Sequence, residues 1–268
     1  MEKQGERLDT FLVSAGYASG REKAKELIAD GYVSVGGRVV TKASHRVSHP
    51  DTVECRAPQP RYVGRGGYKL ERAVAAAHLT LAGLIAMDVG ASTGGFTDCM
   101  LQQGVAHVYA VDVGRDQLHP RLREDPRVTV LEGTDVRSEQ LARTVAAGSV
   151  DVCSVDVSFV SLSHVLPAIL PYLSDHATLV CLIKPQFEAG KSAVGKHGVV
   201  KDKKAHIRVL SDQLSLFAEC ALTPVWMGHS PITGGEGNIE YLAVLRRGGV
   251  GSLVDPTALV QAAFNELG

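Results

Sequence analysis

Between residues 84 and 246 the chain alternates apolar, strand-like runs with stretches of helical periodicity. The runs are LIAMDVG, HVYAVDVG, RVTVLEG, VDVCSVDVS, ATLVCLIKP, ALTPVWMGHS and IEYLAVLR, and helices are expected between most of them, at roughly 94–103, 138–147, 161–172 and 202–219. Continuous apolar runs belong to strands buried on both faces. Separated by helices, such strands build an α/β domain around a doubly wound, mainly parallel sheet, the Rossmann-like arrangement. Ligands of such sheets lie at the carboxyl ends of the strands, where Asp88, Gly90, Asp112, Asp135, Asp156 and Lys184 fall.

Ahead of this body lies a smaller, basic head. Residues 1–70 hold 12 Lys and Arg against 8 Asp and Glu, and the remainder holds 16 against 21, so a net charge of −1 conceals a charge asymmetry. That asymmetry favours a polyanionic partner for the head. RLDTFLVSAG puts Leu8, Phe11 and Leu12 on one helical face, and GREKAKELIADG puts Ala24, Leu27 and Ile28 on one face with Arg21, Lys23 and Lys25 largely on the others. YVSVGGRVV reads as a hairpin about a Gly-Gly turn, and DTVEC as a further short strand. The stretch APQPRYVGRG (57–66) is rich in proline and glycine and reads as a linker. A head over 1–60, a connection over 61–66 and a body over 67–268 are therefore expected.

The five cysteines are odd in number, widely spaced and without a Cys-x-x-Cys pair, and are read as reduced core residues. The first residues are too charged for a signal peptide, and no apolar run reaches the 18 or so residues that span a bilayer. A soluble, cytoplasmic protein without stable membrane association, monomeric or weakly dimeric, is expected.

The head, from Arg7 through the Gly-x-Val-x-Val-Gly-Gly hairpin, resembles the S4 RNA-binding domain. It departs at Gly20, where serine often caps the second helix. The resemblance implies RNA contacts from Arg7, Arg21, Lys23, Lys25, Arg38 and Lys42.

The turn after the first body strand, DVGASTGGFT, poses the question of its ligand. It lacks Gly-x-Gly-x-x-Gly, and Asp88 lies two residues before its first glycine. A pyrophosphate disfavours a nearby carboxylate, whereas the zwitterionic end of S-adenosylmethionine tolerates one. The turn therefore favours S-adenosylmethionine over a nicotinamide dinucleotide, and a turn that binds nothing stays open. The cofactor site is expected at Asp88, Gly90, Ala91, Ser92, Thr93, Gly94, Gly95 and Phe96, at Asp112 and Val113, at Asp135 and Val136, and at Asp156.

Four polar residues sharpen the reading. Lys69 stands in GRGGYKL, Asp156 follows the fourth body strand, Lys184 follows the fifth, and Glu240 stands at the start of the last. Each alone reads as a surface or capping charge. In this order, with DVGASTGGFT, they resemble the Lys-Asp-Lys-Glu tetrad of FtsJ-like ribose 2'-O-methyltransferases. With the S4 head, VGRGGYKL, DVSFVSL and KPQFE, residues 6–246 resemble the TlyA family of rRNA methyltransferases, also named haemolysin A. The resemblance implies S-adenosylmethionine-dependent methylation of cytidine 2'-hydroxyls in ribosomal RNA, free or within ribosomal subunits. Lys184 is the candidate general base, its neutral form favoured by crowding from Lys69 and partial desolvation. Asp156 and Glu240 would orient the two amines, and Lys69 would hold the target ribose or phosphate. No metal is expected. Arg65 at the junction, and Lys191 and Lys196 in the glycine-rich loop 186–202, are further RNA candidates; that loop reads equally as an RNA-contacting lid or a solvated connection. Other classes stay open: an RNA-binding module with an inactive body, a membrane-active cytolysin, and a nicotinamide-dependent oxidoreductase.

Overall fold

The computed structural model describes residues 5–18, 20–48, 51–56, 60–248 and 251–268. The chain divides into two units, residues 1–61 and residues 62–268.

The first unit holds β1 (Glu6–Arg7), α1 (Leu8–Ser14), α2 (Arg21–Ala29), β2 (Val33–Val35), β3 (Arg38–Val39), β4 (Arg46–Val47) and β5 (Val53–Cys55). Leu8 and Leu12 of α1 and Ala24, Leu27 and Ile28 of α2 form apolar stripes at three- and four-residue spacing. These stripes close on Val33 and Val47. β2 pairs antiparallel with both β3 and β5. Gly36 and Gly37 make the β2–β3 turn at φ 56° and 76°, a two-residue turn that glycine enters without strain. α2 starts at Gly20 without a side-chain cap.

The second unit holds α3 (Gly66–Ala76), β6 (Ile85–Val89), α4 (Gly95–Gln102), β7 (His107–Asp112), α5 (Pro120–Arg123), β8 (Val128–Glu132), α6 (Glu139–Thr144) and β9 (Val150–Val155). It continues with α7 (Leu162–Ile169), β10 (Leu173–Ile183), α8 (Pro185–Glu188), α9 (Lys203–Glu219), β11 (Leu222–His229), β12 (Tyr241–Arg247) and α10 (Pro256–Leu267). Seven strands form one sheet in the order β11-β12-β10-β9-β6-β7-β8. β12 runs antiparallel to both its neighbours, and every other pairing is parallel. The sheet is covered on both faces. Along β12, Tyr241, Ala243 and Leu245 enter one core while Leu242 and Val244 enter the other, the period-two alternation of a strand. Connections run outward in opposite directions from β6 and β9, and the ends of these two strands define the ligand crevice.

The expected connection over 61–66 needs correction. Residues 57–59 lie outside the described residues, but from Tyr62 onward the segment belongs to the body. Tyr62 is 2% exposed, and the Val63 N–H donates to Asp98 Oδ2 at 2.8 Å. The glycines here serve close packing rather than flexibility. A Cβ on Gly67 would overlap the Tyr62 ring, and one on Gly95 would stand 3.0 Å from the Gly64 oxygen and the Gly67 nitrogen. The 64–67 segment and the start of α4 lock together because Gly64, Gly67 and Gly95 bring no side chain to the contact and Gly66 leaves room for the Phe96 ring.

All five cysteines are free. Cys99, Cys153 and Cys181 are buried, and burial pushes the Cys153 and Cys181 thiols up, which makes them unreactive. Among the described residues no helix is long and apolar enough to cross a membrane, and no group of three or more His, Cys, Asp or Glu side chains could hold a metal ion.

Candidate active site

Two adjoining cavities lie over the β6–β9 crevice. The larger, about 540 Å³, is lined by Lys69, Asp156, Lys184 and Glu240, by Gly90 to Thr93, by Gly95 and Phe96, and by Arg65. The smaller, about 470 Å³, contains Asp112, Val113, Asp135 and Val136. Gly90, Ser92, Asp156, Ser158 and Phe159 border both.

The four tetrad positions form two ion pairs. Lys69, buried on the first turns of α3, donates to Glu240 Oε2 at 2.6 Å, with side chains 8% and 3% exposed. Glu240 precedes β12, and its other oxygen lies 3.5 Å from Gln186 Nε2. A Cβ on Gly234 would come 2.5 Å from that same oxygen, so the glycine leaves room for the carboxylate. Lys184, which follows β10, stands 2.6 Å from Asp156 Oδ1, which follows β9. Lys184 also donates to Ser158 Oγ at 3.0 Å and lies 5.9 Å from the centre of the Phe187 ring. Each amine thus has its own carboxylate partner at the cavity wall.

The glycine turn is shaped for close approach. Gly90 has φ 84°, and a Cβ there would overlap the carbonyl oxygen of Asp156. The Gly90 and Ala91 N–H groups both donate to the Val111 oxygen, at 2.8 and 3.1 Å. Asp112 receives the Ser92 N–H on one oxygen at 2.8 Å and the Gly114 N–H on the other at 2.7 Å. A carboxylate has about four acceptor sites, so lone pairs remain for a ligand's hydroxyls. Asp135 pairs with Arg137, whose guanidinium holds it down at about 2. Val113 is 72% exposed at the cavity rim.

Two expected cofactor residues stand elsewhere. Asp88 lines neither cavity. It points inward between the sheet and α4, fully buried, and accepts hydroxyl bonds from Thr97 at 2.6 Å and Ser154 at 2.7 Å. Gly94 faces Leu118 and Leu122, not a cavity. Asp88 therefore supports the turn from beneath. Burial, the largest influence, outweighs the two hydroxyl donors and pushes its carboxyl up from the usual 3.8 to about 6. Because the native state holds this proton more tightly than the unfolded chain, the group's contribution to stability is full at low pH and is lost as pH rises through about 6. A rise of that size corresponds to about 3 kcal/mol. Asp88→Asn should therefore gain on the wild type by about 2 kcal/mol between pH 4.5 and 7.5 in urea unfolding, a window that opens above the unfolded value and so takes in most but not all of the loss. Parallel pH profiles for the two proteins would count against this account.

In the head, Asp9 is fully buried and receives Arg7 at 2.9 Å and Arg21 at 3.0 Å. The Arg7 hydrogen bond is foremost in holding its carboxyl well below the usual range. Both arginines thus carry a structural duty, although their side chains stay 39% and 58% exposed. Lys23 and Lys25 pair with Glu26 and Glu22 on the same exposed helix. Arg38 and Lys42 are exposed and, among the described residues, have no ion pair. In the body, Arg65 donates to the Thr233 oxygen at the cavity rim. Lys191 and Lys196 are exposed and line neither cavity.

The loop over 186–202 is anchored at its far end. Asn238, 2% exposed, accepts from the Val200 N–H at 3.1 Å and donates to the Gly198 oxygen at 2.9 Å, while its own carbonyl accepts from the Gly234 N–H at 2.8 Å. One side chain therefore ties this loop to the segment carrying Glu240. Sequence reading assigned no role to Asn238, Gln186, Ser158 or Phe159, although DVSF and KPQFE contain three of them. Phe159 sits at φ 63° and is 91% exposed, with its ring 4.9 Å from that of Phe187. Such a backbone conformation costs about 1–3 kcal/mol and clusters at functional sites.

Comparison with known proteins follows the division of the chain. The FtsJ-like methyltransferase model matches residues 62–247, and the S4 domain model matches residues 6–53. The 16S/23S rRNA (cytidine-2'-O)-methyltransferase TlyA of Mycobacterium tuberculosis is 42% identical over 241 residues, which is 90% of this chain and 89% of that protein. Hemolysin A of Brachyspira hyodysenteriae is 39% identical over 88% of this chain and 98% of its own length. A solved structure of a candidate hemolysin from Streptococcus thermophilus is 37% identical, with a TM-score of 0.75 over 98% of this chain and 97% of that one.

Proposed function

The chain belongs to the TlyA family, an S4 domain followed by an FtsJ-like methyltransferase domain, and from that membership we propose that it methylates the 2'-hydroxyl of cytidines in ribosomal RNA with S-adenosylmethionine as donor. The observation that carries the reading is the convergence of the Lys69–Glu240 and Lys184–Asp156 pairs in one cavity beside the glycine turn. The residues fit the donor. Gly90 lets the turn run against the Asp156 carbonyl, where any Cβ would overlap, so the bare backbone of the turn forms part of the wall of both cavities. Asp112 would take the ribose hydroxyls, between the apolar walls made by Val113 and Val136. When bound, S-adenosylmethionine supplies an electrophilic methyl group.

A ribose 2'-hydroxyl is a weak nucleophile until a base takes its proton. Lys184 accepts that proton at Nζ, and Asp156, 2.6 Å away, stabilises the ammonium that results. Ser158 fixes the direction of the amine. Lys69, held by Glu240, positions the ribose or its phosphate, and alignment of the reacting groups supplies much of the rate gain. Phe159 offers an exposed ring on which a base can stack, worth about 1–3 kcal/mol. The head, in which Arg38 and Lys42 have no ion pair among the described residues, reads the RNA backbone. Ribosomal RNA as substrate, alone or in subunits, places this work in the cytoplasm.

Calorimetric titration tests the donor. S-adenosylmethionine should bind and NAD should give no heat. Asp112→Ala should weaken S-adenosylmethionine about tenfold or more, the loss of a charge-assisted hydrogen bond. Gly90→Val should bind none. Unchanged affinity in both variants would put the cofactor elsewhere.

A further inference from the structure

Glu132, the last residue of β8, makes contacts that no tetrad or turn residue shares. Its Oε1 accepts the backbone N–H groups of Gln117 and Leu118, both at 2.9 Å, and its Oε2 accepts the Asp116 N–H at 3.0 Å and the Arg123 guanidinium at 2.7 Å. Three successive amides converge on one carboxylate, the concave backbone arrangement that binds anions. Asp116 adopts φ 56° within it, a conformation that a non-glycine residue enters only under constraint.

The loop so gathered forms part of the cofactor cavity. Gly114 and Gln117 line the smaller chamber together with Asp112, and Asp112 binds the Gly114 N–H. At its far end the His119 N–H donates to the Thr93 oxygen of the glycine turn at 3.2 Å. Leu118 stands where a Cβ on Gly94 would press at 2.9 Å. The loop therefore lines the smaller cavity and touches the glycine turn that borders the larger one, and Glu132 is the group that gathers it.

We infer that Glu132 is a positioning residue for cofactor binding, its carboxylate folding residues 114–118 into the wall that receives the nucleoside end. This rests on the reading of the two cavities as the S-adenosylmethionine site. Burial alone would raise the Glu132 carboxyl, but the Leu118 amide, the Arg123 guanidinium and the Gln117 and Asp116 amides outweigh it and hold it at about 2. The anchor is consequently charged at every pH where the protein would work.

The test compares Glu132→Gln with Arg123→Ala, measuring S-adenosylmethionine affinity by calorimetry and hydrogen exchange of the amides of residues 116–118. Glu132→Gln should speed exchange of these amides and raise the cofactor Kd about tenfold, the scale of one or two weakened hydrogen bonds. Its kcat at saturating cofactor and its KM for RNA should stay at wild-type values. Arg123→Ala keeps all three amide bonds and should stay within about twofold of the wild-type Kd. Adding Asp116→Gly to Glu132→Gln should restore part of the affinity, because glycine accepts the positive φ unaided. Glu132→Gln with faster exchange and an unchanged Kd would overturn the inference while leaving the cofactor site in place. A wild-type protein that binds no S-adenosylmethionine would instead overturn the reading on which it rests.

Discussion

Lys184→Ala is expected to lose about a hundredfold or more in methyl transfer at saturating cofactor, the usual scale for a positioned general base. S-adenosylmethionine and RNA should bind it as they bind the wild type, because Lys184 is assigned to the nucleophile and not to either ligand's affinity. The side chain is 11% exposed and its contacts are Asp156, Ser158 and the Phe187 ring, so truncation leaves the glycine turn untouched. Lys184→Arg should be equally inactive, since a guanidinium stays protonated and takes no proton from the hydroxyl. Near-normal turnover in the arginine variant would reassign Lys184 to holding charge in place.

Lys69→Ala should show the second large effect, in stability as well as activity. The Lys69–Glu240 pair is almost wholly removed from water. Deleting the amine leaves a buried carboxylate that, among the described residues, keeps only Gln186 Nε2, at 3.5 Å, as a hydrogen-bonding neighbour. Breaking a buried pair from one side costs about 3–5 kcal/mol, whereas replacing both partners with apolar residues of similar size is often neutral. Lys69→Met with Glu240→Leu should therefore recover much of the unfolding free energy in urea and none of the methyl transfer. If the double variant were also active, the pair would be structural only. If Lys69→Ala kept wild-type stability, the pair would not carry the energy assigned to it.

What was legible in the sequence follows from periodicity. Apolar runs located the strands, and β6, β7 and β9 fall within the expected stretches because both faces of each are buried. β10 runs four residues further back than its apolar stretch. Ser174, Asp175 and His176 are polar and, in part, exposed, and the pairing with β9 jumps between Leu173 and Thr178; strand geometry there has no apolar signal. Asp88 illustrates a subtler limit. Its place before the turn suggested a ligand contact, but the register pairs it with Ser154 across β6 and β9, and cross-strand register is not written in either segment alone. The 61–66 stretch misled for a compositional reason, since glycines that permit close packing look the same as glycines that permit flexibility. The four tetrad positions could be named from motif order, while Asn238, Gln186 and Glu132 act through partners distant in sequence. Each would need the fold to be seen.

The position of the transferred methyl group tests most directly whether a cytidine 2'-oxygen is the acceptor. Ribosomal subunits and free ribosomal RNA from cells lacking the enzyme should be incubated with the protein and methyl-labelled S-adenosylmethionine, then digested to nucleosides and resolved by mass spectrometry. Label is predicted in 2'-O-methylcytidine for the wild type and, at equal incubation time, at a level about a hundredfold lower or less for Lys184→Ala. Label on a base carbon or nitrogen, or equal label from the Lys184→Ala protein, would contradict the account.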